Sequence, residues 1–192
     1  MNSENTSEYR SAAYSRTTIT ELMIPSYANF GGKIHGGILL SLMDKVAYVC
    51  ATKHASSYCV TVSVDTVDFL QPVDVGDLVS LHASINYVGR SSMLIGIKVI
   101  AEDVVNGTVK HTNTSYFTMV AKGADNKPKE VPGLKLETRE DVRRFLEAIK
   151  RKDLKAHYKE ELNNQKTRMA IEQELYKLEN ERCSFHIDDI TI

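Results

Sequence analysis

One short stretch, NFGGKIHGGILLSLMD (29–44), holds residues with the types and spacing to act on a carbonyl group: Gly36 and Gly37 after His35, and Asp44. Gly36 and Gly37 are followed by Ile38, Leu39, Leu40, Leu42 and Met43, which reads as a glycine turn feeding a largely buried helix that runs to about Lys53. The first N–H groups of a helix have no intrahelical acceptor and can point at developing negative charge, and glycine lets a substrate approach the backbone closely. Asp44 is a carboxylate carried among Leu42, Met43, Val46 and Ala47. An unpaired charge in such surroundings is costly, so the residue is expected to be partnered or functional. The readings without chemistry are a salt-bridged or capping aspartate and a plain turn at the glycines.

Spacing bears on assembly. Gly36 and Asp44 are eight residues apart, about 12 Å along a helix axis, too far for both to touch one reacting carbon. One helix cannot supply both groups. Two copies lying antiparallel can, with the helix start of one protomer facing Asp44 of the other and two equivalent sites across a two-fold axis.

The elements that must hold these residues fit one domain with an appendage. The chain has 192 residues, 42% of them hydrophobic and 26% charged, enough apolar material for a core. A net charge of −1 gives no support to nucleic-acid binding. No apolar run approaches the length of a membrane span and the N-terminus lacks the apolar block of a signal peptide, so the expectation is a cytoplasmic protein with no membrane partner. Cys50, Cys59 and Cys183 form no CxxC pair and read as buried free thiols. His54, His82, His111, His157 and His186 show no ligand spacing, so no metal is expected, and there is neither a glycine-rich nucleotide loop nor a GxSxG elbow.

Residues 1–16 are polar and serine-rich and are expected to be a flexible arm. Thr17 to Ile24 suits a first strand. After the helix, CVTVSVDTVDFL (59–70) alternates with a shift of parity near Asp65 and Thr66, which suggests a long strand with a bulge. Strands are expected over 78–88, 92–102 and 108–122, with a turn over Val104 to Gly107 that carries the Asn106-Gly107 hairpin signal. The four strands after the helix are expected to pair as an antiparallel meander wrapped around it, giving an α+β domain over 17–136. Residues 137–192 are expected to be a helical extension of two helices, the first opened by a capping box at Thr138 to Asp141 and the second over 160–183, with no chemistry in either.

With these pieces in order, the chain resembles the hot-dog-fold acyl-CoA thioesterases of the cytosolic acyl-CoA hydrolase type. The resemblance covers about 17–133 and rests on Asn29 six residues before His35, the HGG at 35–37, Asp44 after Met43, TVSVDTVDF at 61–69, PVDVGD at 72–77, VGRSSM at 88–93 and YFTMVA at 116–121. It implies a hot-dog fold, a long helix wrapped by an antiparallel sheet, and hydrolysis of acyl-CoA to free acid and coenzyme A. It also implies sites shared within a dimer, dimers that assemble into a hexamer as a trimer of dimers, and no cofactor beyond the coenzyme A of the substrate.

By the same resemblance Asp44 is the general base for water or a nucleophile, the Gly36 N–H supplies the oxyanion site with Gly37 as a further donor, and Asn29, which without the resemblance reads as a turn former, orients the water or touches the thioester carbonyl. His35 supports them. Thr61 lies on the strand bordering the site. Gly89, Arg90, Ser91 and Ser92 form a bend suited to coenzyme A phosphates, Arg90 by charge pairing and the others by close backbone and hydroxyl contacts. A hairpin with a solvent-facing arginine is the alternative there. Two other functions compete. A hot-dog hydratase or dehydratase pairs its aspartate with a histidine a few residues on, whereas ten residues separate Asp44 from His54. A non-catalytic acyl-CoA sensor would have no use for Asp44.

Overall fold

In the computed structural model, which describes residues 9–168, 170–178 and 181–183, the chain opens with strand β1 (Tyr9–Ser11) and a single helical turn, α1 (Ala12–Ser15), capped by the Ser11 hydroxyl. Strand β2 (Thr17–Leu22) and a 3₁₀ turn at Pro25–Tyr27 lead into helix α2 (Gly36–Ala55). After it come β3 (Cys59–Val64), β4 (Asp77–Val88), β5 (Ser92–Asp103), β6 (Thr108–Ala121) and the short β7 (Gly133–Lys135).

Helix α2 forms where apolar residues recur at helical spacing. Leu39, Leu42, Met43, Val46, Ala47, Cys50, Ala51 and His54 fall on one face and are buried. That face meets the inward row of the sheet, Val79, Leu81, Ala83 and Ile85 of β4, Met93, Ile95, Ile97 and Val99 of β5, and Phe117 and Met119 of β6, all buried. Cys50 and Cys59 are buried free thiols as expected, and burial pushes Cys50 up to about 12, so neither is a ready nucleophile. Cys183 is exposed.

The five-stranded sheet has the order β2-β4-β5-β6-β3, with every pairing antiparallel. This corrects the expected meander. β4, β5 and β6 are consecutive neighbours, but β3 pairs with β6 at the far edge and β2 takes the place beside β4. β3 is also shorter than expected. Its bulge is at Val62, between the Thr61–Met119 and Ser63–Thr118 pairs, and the ladder stops at Val64. Beyond it the chain still follows β6, held by backbone bonds from Asp65 N–H to Tyr116 and from Leu70 N–H to Thr112. The β5–β6 turn is the expected four-residue loop over Val104 to Gly107, in which the Asp103 carboxylate accepts from the Val105 and Asn106 amides and Gly107 takes a φ of 68°.

From Tyr9 onward the segment expected to be a flexible arm is part of the fold. β1 pairs in parallel with β7, and Arg10 reaches the C-terminal end of α2, donating to the His54 carbonyl at 2.7 Å, the Lys53 carbonyl at 3.3 Å and the Ser56 hydroxyl at 2.7 Å. Cationic donors on the last carbonyls of a helix satisfy groups that have no partner in the helix itself. His54 is fully buried beneath this staple, between the Ser15 hydroxyl and the Pro132 carbonyl, and burial holds its pKa below the usual histidine range.

The first compact unit ends at Ala148 and the second begins at Ile149. The division falls beyond residue 136 because the start of α3 (Arg139–Arg168) belongs to the first unit. There Arg144 donates to Ser84, Tyr116 to Glu147, and the Tyr87 and Phe145 rings lie 5.0 Å apart. The capping box is present, with the Asp141 N–H on the Thr138 hydroxyl and the Thr138 N–H on the Asp141 carboxylate, both at 3.0 Å. The second unit holds the rest of α3, the short helix α4 (Ile171–Glu174) and a 3₁₀ turn at Leu175–Leu178. Where two helices were expected, α3 is thus one continuous helix of 30 residues followed by short turns. No helix among the described residues is long and apolar enough to cross a membrane.

Arg10→Ala is expected to lower the free energy of unfolding by about 1–2 kcal/mol, since it strips a charged donor from the end of α2. Chemical denaturation measures this, and a variant as stable as the parent would show that the staple carries no weight.

Candidate active site

Helix α2 and the edge strand β3 bring two of the expected residues together. The Thr61 hydroxyl donates to Asp44 Oδ1 at 2.6 Å and also lies 3.0 Å from the Met119 sulfur. A hydroxyl-to-carboxylate bond of this length is charge-assisted. It occupies one carboxylate oxygen, and the other has no hydrogen bond among the described residues. The apolar neighbours of Asp44 in sequence had suggested burial, but Asp44 is exposed, because Leu42, Met43, Val46 and Ala47 point to the sheet while Asp44 lies on the opposite face of the helix. Leu40 and Tyr48, one turn before and one turn after Asp44, are 37% and 38% exposed, and Val49 beside Tyr48 is 36% exposed, apolar surface of the kind that protein–protein contacts cover.

A second cluster forms at the other end of the helix. His35 is the N-cap of α2, and its Nδ1 accepts from the Gly37 N–H at 2.9 Å. With Nδ1 as acceptor, the ring proton resides on Nε2, which becomes an outward donor. The Gly37 amide, expected at the oxyanion site, is therefore engaged by the cap. The Gly36 N–H has no partner among the described residues. A Cβ at Gly36 would lie 3.3 Å from the Phe69 ring, so a side chain there needs that ring to yield by a few tenths of an ångström. Asn29 sits in the tight loop just before: its Oδ1 accepts from the Gly31 and Lys33 amides at 2.9 and 3.2 Å, so its NH₂ is the end left for other partners. The loop is tied to the next turn by Lys33, which pairs with Asp74, and Lys110 bridges Asp74 and Asp77 at 3.3 and 3.1 Å.

The bend at Gly89, Arg90, Ser91 and Ser92 joins β4 to β5. It closes by a bond from the Gly89 N–H to the Ser92 carbonyl at 2.8 Å. The Arg90 carbonyl accepts from the Val131 N–H at 3.0 Å, which fixes the backbone and leaves an exposed guanidinium with no ion pair among the described residues. Register places this bend at the same end of the sheet as Thr61, since Thr61 pairs with Met119 and Met119 with Met93. Two strand spacings, about 10 Å, separate the rows.

Within one protomer the clusters do not meet. Gly36 is packed against Phe69, and the next residue, Leu70, bonds to Thr112, seven residues along β6 from the Met119 that touches Thr61, or roughly 20 Å of strand. Asp44, Thr61 and the Gly89–Ser92 bend lie towards one end, with Asn29, His35, Gly36 and Gly37 towards the other. Sequence reasoning missed Phe69 as a wall of the helix start, its signal being an aromatic that follows the end of regular alternation. It also missed Lys122 and Lys129, which flank the bend: the Lys129 N–H bonds the Ala121 carbonyl and the Ala121 N–H bonds the Ser91 carbonyl. Among the described residues, no group of three or more His, Cys, Asp or Glu is arranged to hold a metal ion.

Residues 31–108 match the model of the thioesterase superfamily. The protein VdlD of Helicobacter pylori is 47% identical over 134 residues, 70% of this chain and 76% of its own. The crystal structure of an apo-hexameric acyl-CoA thioesterase superposes with a TM-score of 0.74 at 35% identity, covering 85% of this chain and 99% of its own. An acyl-CoA hydrolase from Staphylococcus aureus, solved in complex with butyryl coenzyme A, coenzyme A and coenzyme A disulfide, is 31% identical with a TM-score of 0.74 over 81% of this chain and 95% of its own. Structures of that hydrolase with an aspartate, a threonine or an asparagine replaced by alanine are also similar, at 28–29% identity and TM-scores of 0.70–0.75.

Replacing His35 by alanine frees the Gly37 amide and is expected to cost roughly 0.5–1 kcal/mol of folding stability. Thermal unfolding measures it, and an unchanged midpoint would show that the ring does not cap the helix in solution.

Proposed function

The chain belongs to the thioesterase superfamily as a hot-dog acyl-CoA thioesterase, and we propose that it hydrolyses acyl-CoA thioesters to free carboxylic acid and coenzyme A through sites assembled from two protomers. The observation that carries the shared site is the separation just described: a hydrogen-bonded Asp44 midway along the helix, and an uncommitted Gly36 amide at its start. Antiparallel stacking of two such helices would cover Leu40, Tyr48 and Val49 and bring each Asp44 to the partner protomer's helix start. The edge strand β3, with Val62 and Val64 exposed, supports the same arrangement, because an open strand edge is a place for a second copy to pair.

In this reading Thr61 holds Asp44 by one oxygen, so the other takes a proton from water as the water oxygen adds to the thioester carbonyl carbon. The Gly36 N–H of the opposite protomer, with the His35 Nε2–H beside it, receives the oxyanion. Gly37 serves the site indirectly, by fixing His35. Asn29 presents its NH₂ to the carbonyl or the water, since its own oxygen is spent on the loop. Collapse of the tetrahedral intermediate breaks the carbon–sulfur bond, and the proton held by Asp44 returns to the departing thiolate. Nucleophilic attack by Asp44 itself, through an anhydride, uses the same groups in another order.

Arg90, with Lys122 and Lys129 nearby, suits the coenzyme A phosphates, while Gly89, Ser91 and Ser92 allow close backbone approach. Coenzyme A enters as part of the substrate, and no separate cofactor is required. A trimer of dimers is the assembly we propose, by likeness to the hexameric structure, and the cytoplasm the compartment, with which free thiols at Cys50, Cys59 and Cys183 agree.

Thiol release from a panel of acyl-CoAs tests the proposal. Asp44→Ala is expected to lose at least about a hundredfold in turnover, the worth of a general base, while coenzyme A still binds by calorimetry. Full turnover in that variant would remove Asp44 from the mechanism. Binding without hydrolysis in the parent would instead make the protein an acyl-CoA sensor.

A further inference from the structure

A groove of about 620 Å³ opens beside Asp44 and Thr61, between α2 and β3, with Val49, Val60 and Met119 in its lining. Apart from Asp44, Thr61 and Lys45, these walls are largely apolar, which suits methylenes rather than a polar acyl group. Two tyrosines also line it. Tyr48 follows Asp44 by one helical turn on the same exposed face, and Tyr58 precedes Thr61 at the start of β3. Their rings meet edge to face, with centroids 6.1 Å apart and planes at 60°. Neither hydroxyl has a hydrogen-bond partner among the described residues, so the pair is held by ring contact, and the rings are 38% and 58% exposed.

We propose that the Tyr48–Tyr58 pair stops the acyl groove and sets the chain length the enzyme accepts. The proposal rests on the thioesterase reading, with Asp44 at the reacting carbonyl. Four residues of helix separate Asp44 from Tyr48, about 6 Å of rise, which an extended chain of roughly five or six carbons spans. Longer chains must part the rings, and each further methylene left outside the groove forgoes roughly a fourfold gain in binding. Short and medium acyl groups are thus the preferred substrates.

The test is a series of saturated acyl-CoAs from acetyl to palmitoyl, followed by thiol release for the parent and for Tyr48→Ala, Tyr58→Ala and Tyr48→Phe. The parent is expected to peak near six carbons or below. Each alanine variant is expected to move the optimum to longer chains and to raise the ratio of kcat/KM for dodecanoyl over butyryl substrate at least tenfold. Tyr48→Phe keeps the ring and is expected to keep the parent profile. Because Tyr48 lies on the face that the proposed dimer covers, size-exclusion chromatography beside a thermal melt verifies that each variant folds and assembles as the parent does, and Tyr58→Ala repeats the test from the strand side. Identical profiles for the parent and both alanine variants, or a parent that prefers dodecanoyl over butyryl, would overturn the stop while leaving the thioesterase reading intact. A parent that hydrolyses no thioester would overturn that reading and the stop with it.

Discussion

The rigidity of a single α-helix is the constraint on which this protein's chemistry depends. Eight residues between Gly36 and Asp44 fix about 12 Å between the amide that can receive an oxyanion and the carboxylate that can activate water. No side-chain motion closes that distance within one chain. In the site we propose a second copy does, and several otherwise wasteful features then acquire a purpose. An apolar stripe is left on the outer face of α2, a short bulged strand is left at a sheet edge, and a carboxylate sits among the exposed apolar residues rather than in the core. Each would be a liability in a monomer.

The two ends of the site are prepared by different physics. At the helix start, His35 takes up the Gly37 amide and so leaves the Gly36 amide as the donor still seeking an acceptor. The loop before it is held by Asn29 accepting two amides, and by Lys33 on Asp74, so the donors are in place before substrate arrives. At the other end a strand does the positioning: Thr61 comes to Asp44 because β3 is paired to β6 with Thr61 opposite Met119. The five-stranded sheet is therefore the ruler that sets both the carboxylate and, two strands away, the bend that carries Arg90.

Much of this was legible in the chain itself. Period-two alternation marked β4, β5 and β6 to within a residue or two, and helical periodicity marked α2, because each element buries one regular face. Strand order was not legible. Whether β3 lies beside β4 or β6 depends on a long-range pairing to which local alternation is indifferent, and the free edge it creates bears on how two copies meet. Nor did composition disclose that the serine-rich N-terminus contributes Arg10 to the end of α2, since a three-residue strand and a one-turn helix carry too little periodicity to register. The residue types of the candidate site were readable, but their division of labour was not. Gly36 and Gly37 look alike in sequence, and only the His35 ring distinguishes them.

Activity of defined mixed dimers tests the shared site most directly. Asn29→Ala and Asp44→Ala protomers, each inactive as a homodimer, are combined through separable tags and the mixed species is purified. If each site draws Asp44 from one protomer and Asn29 from the other, one of the two sites is restored and the mixed dimer recovers about half the parental turnover. A purified mixed dimer no more active than either homodimer would contradict it.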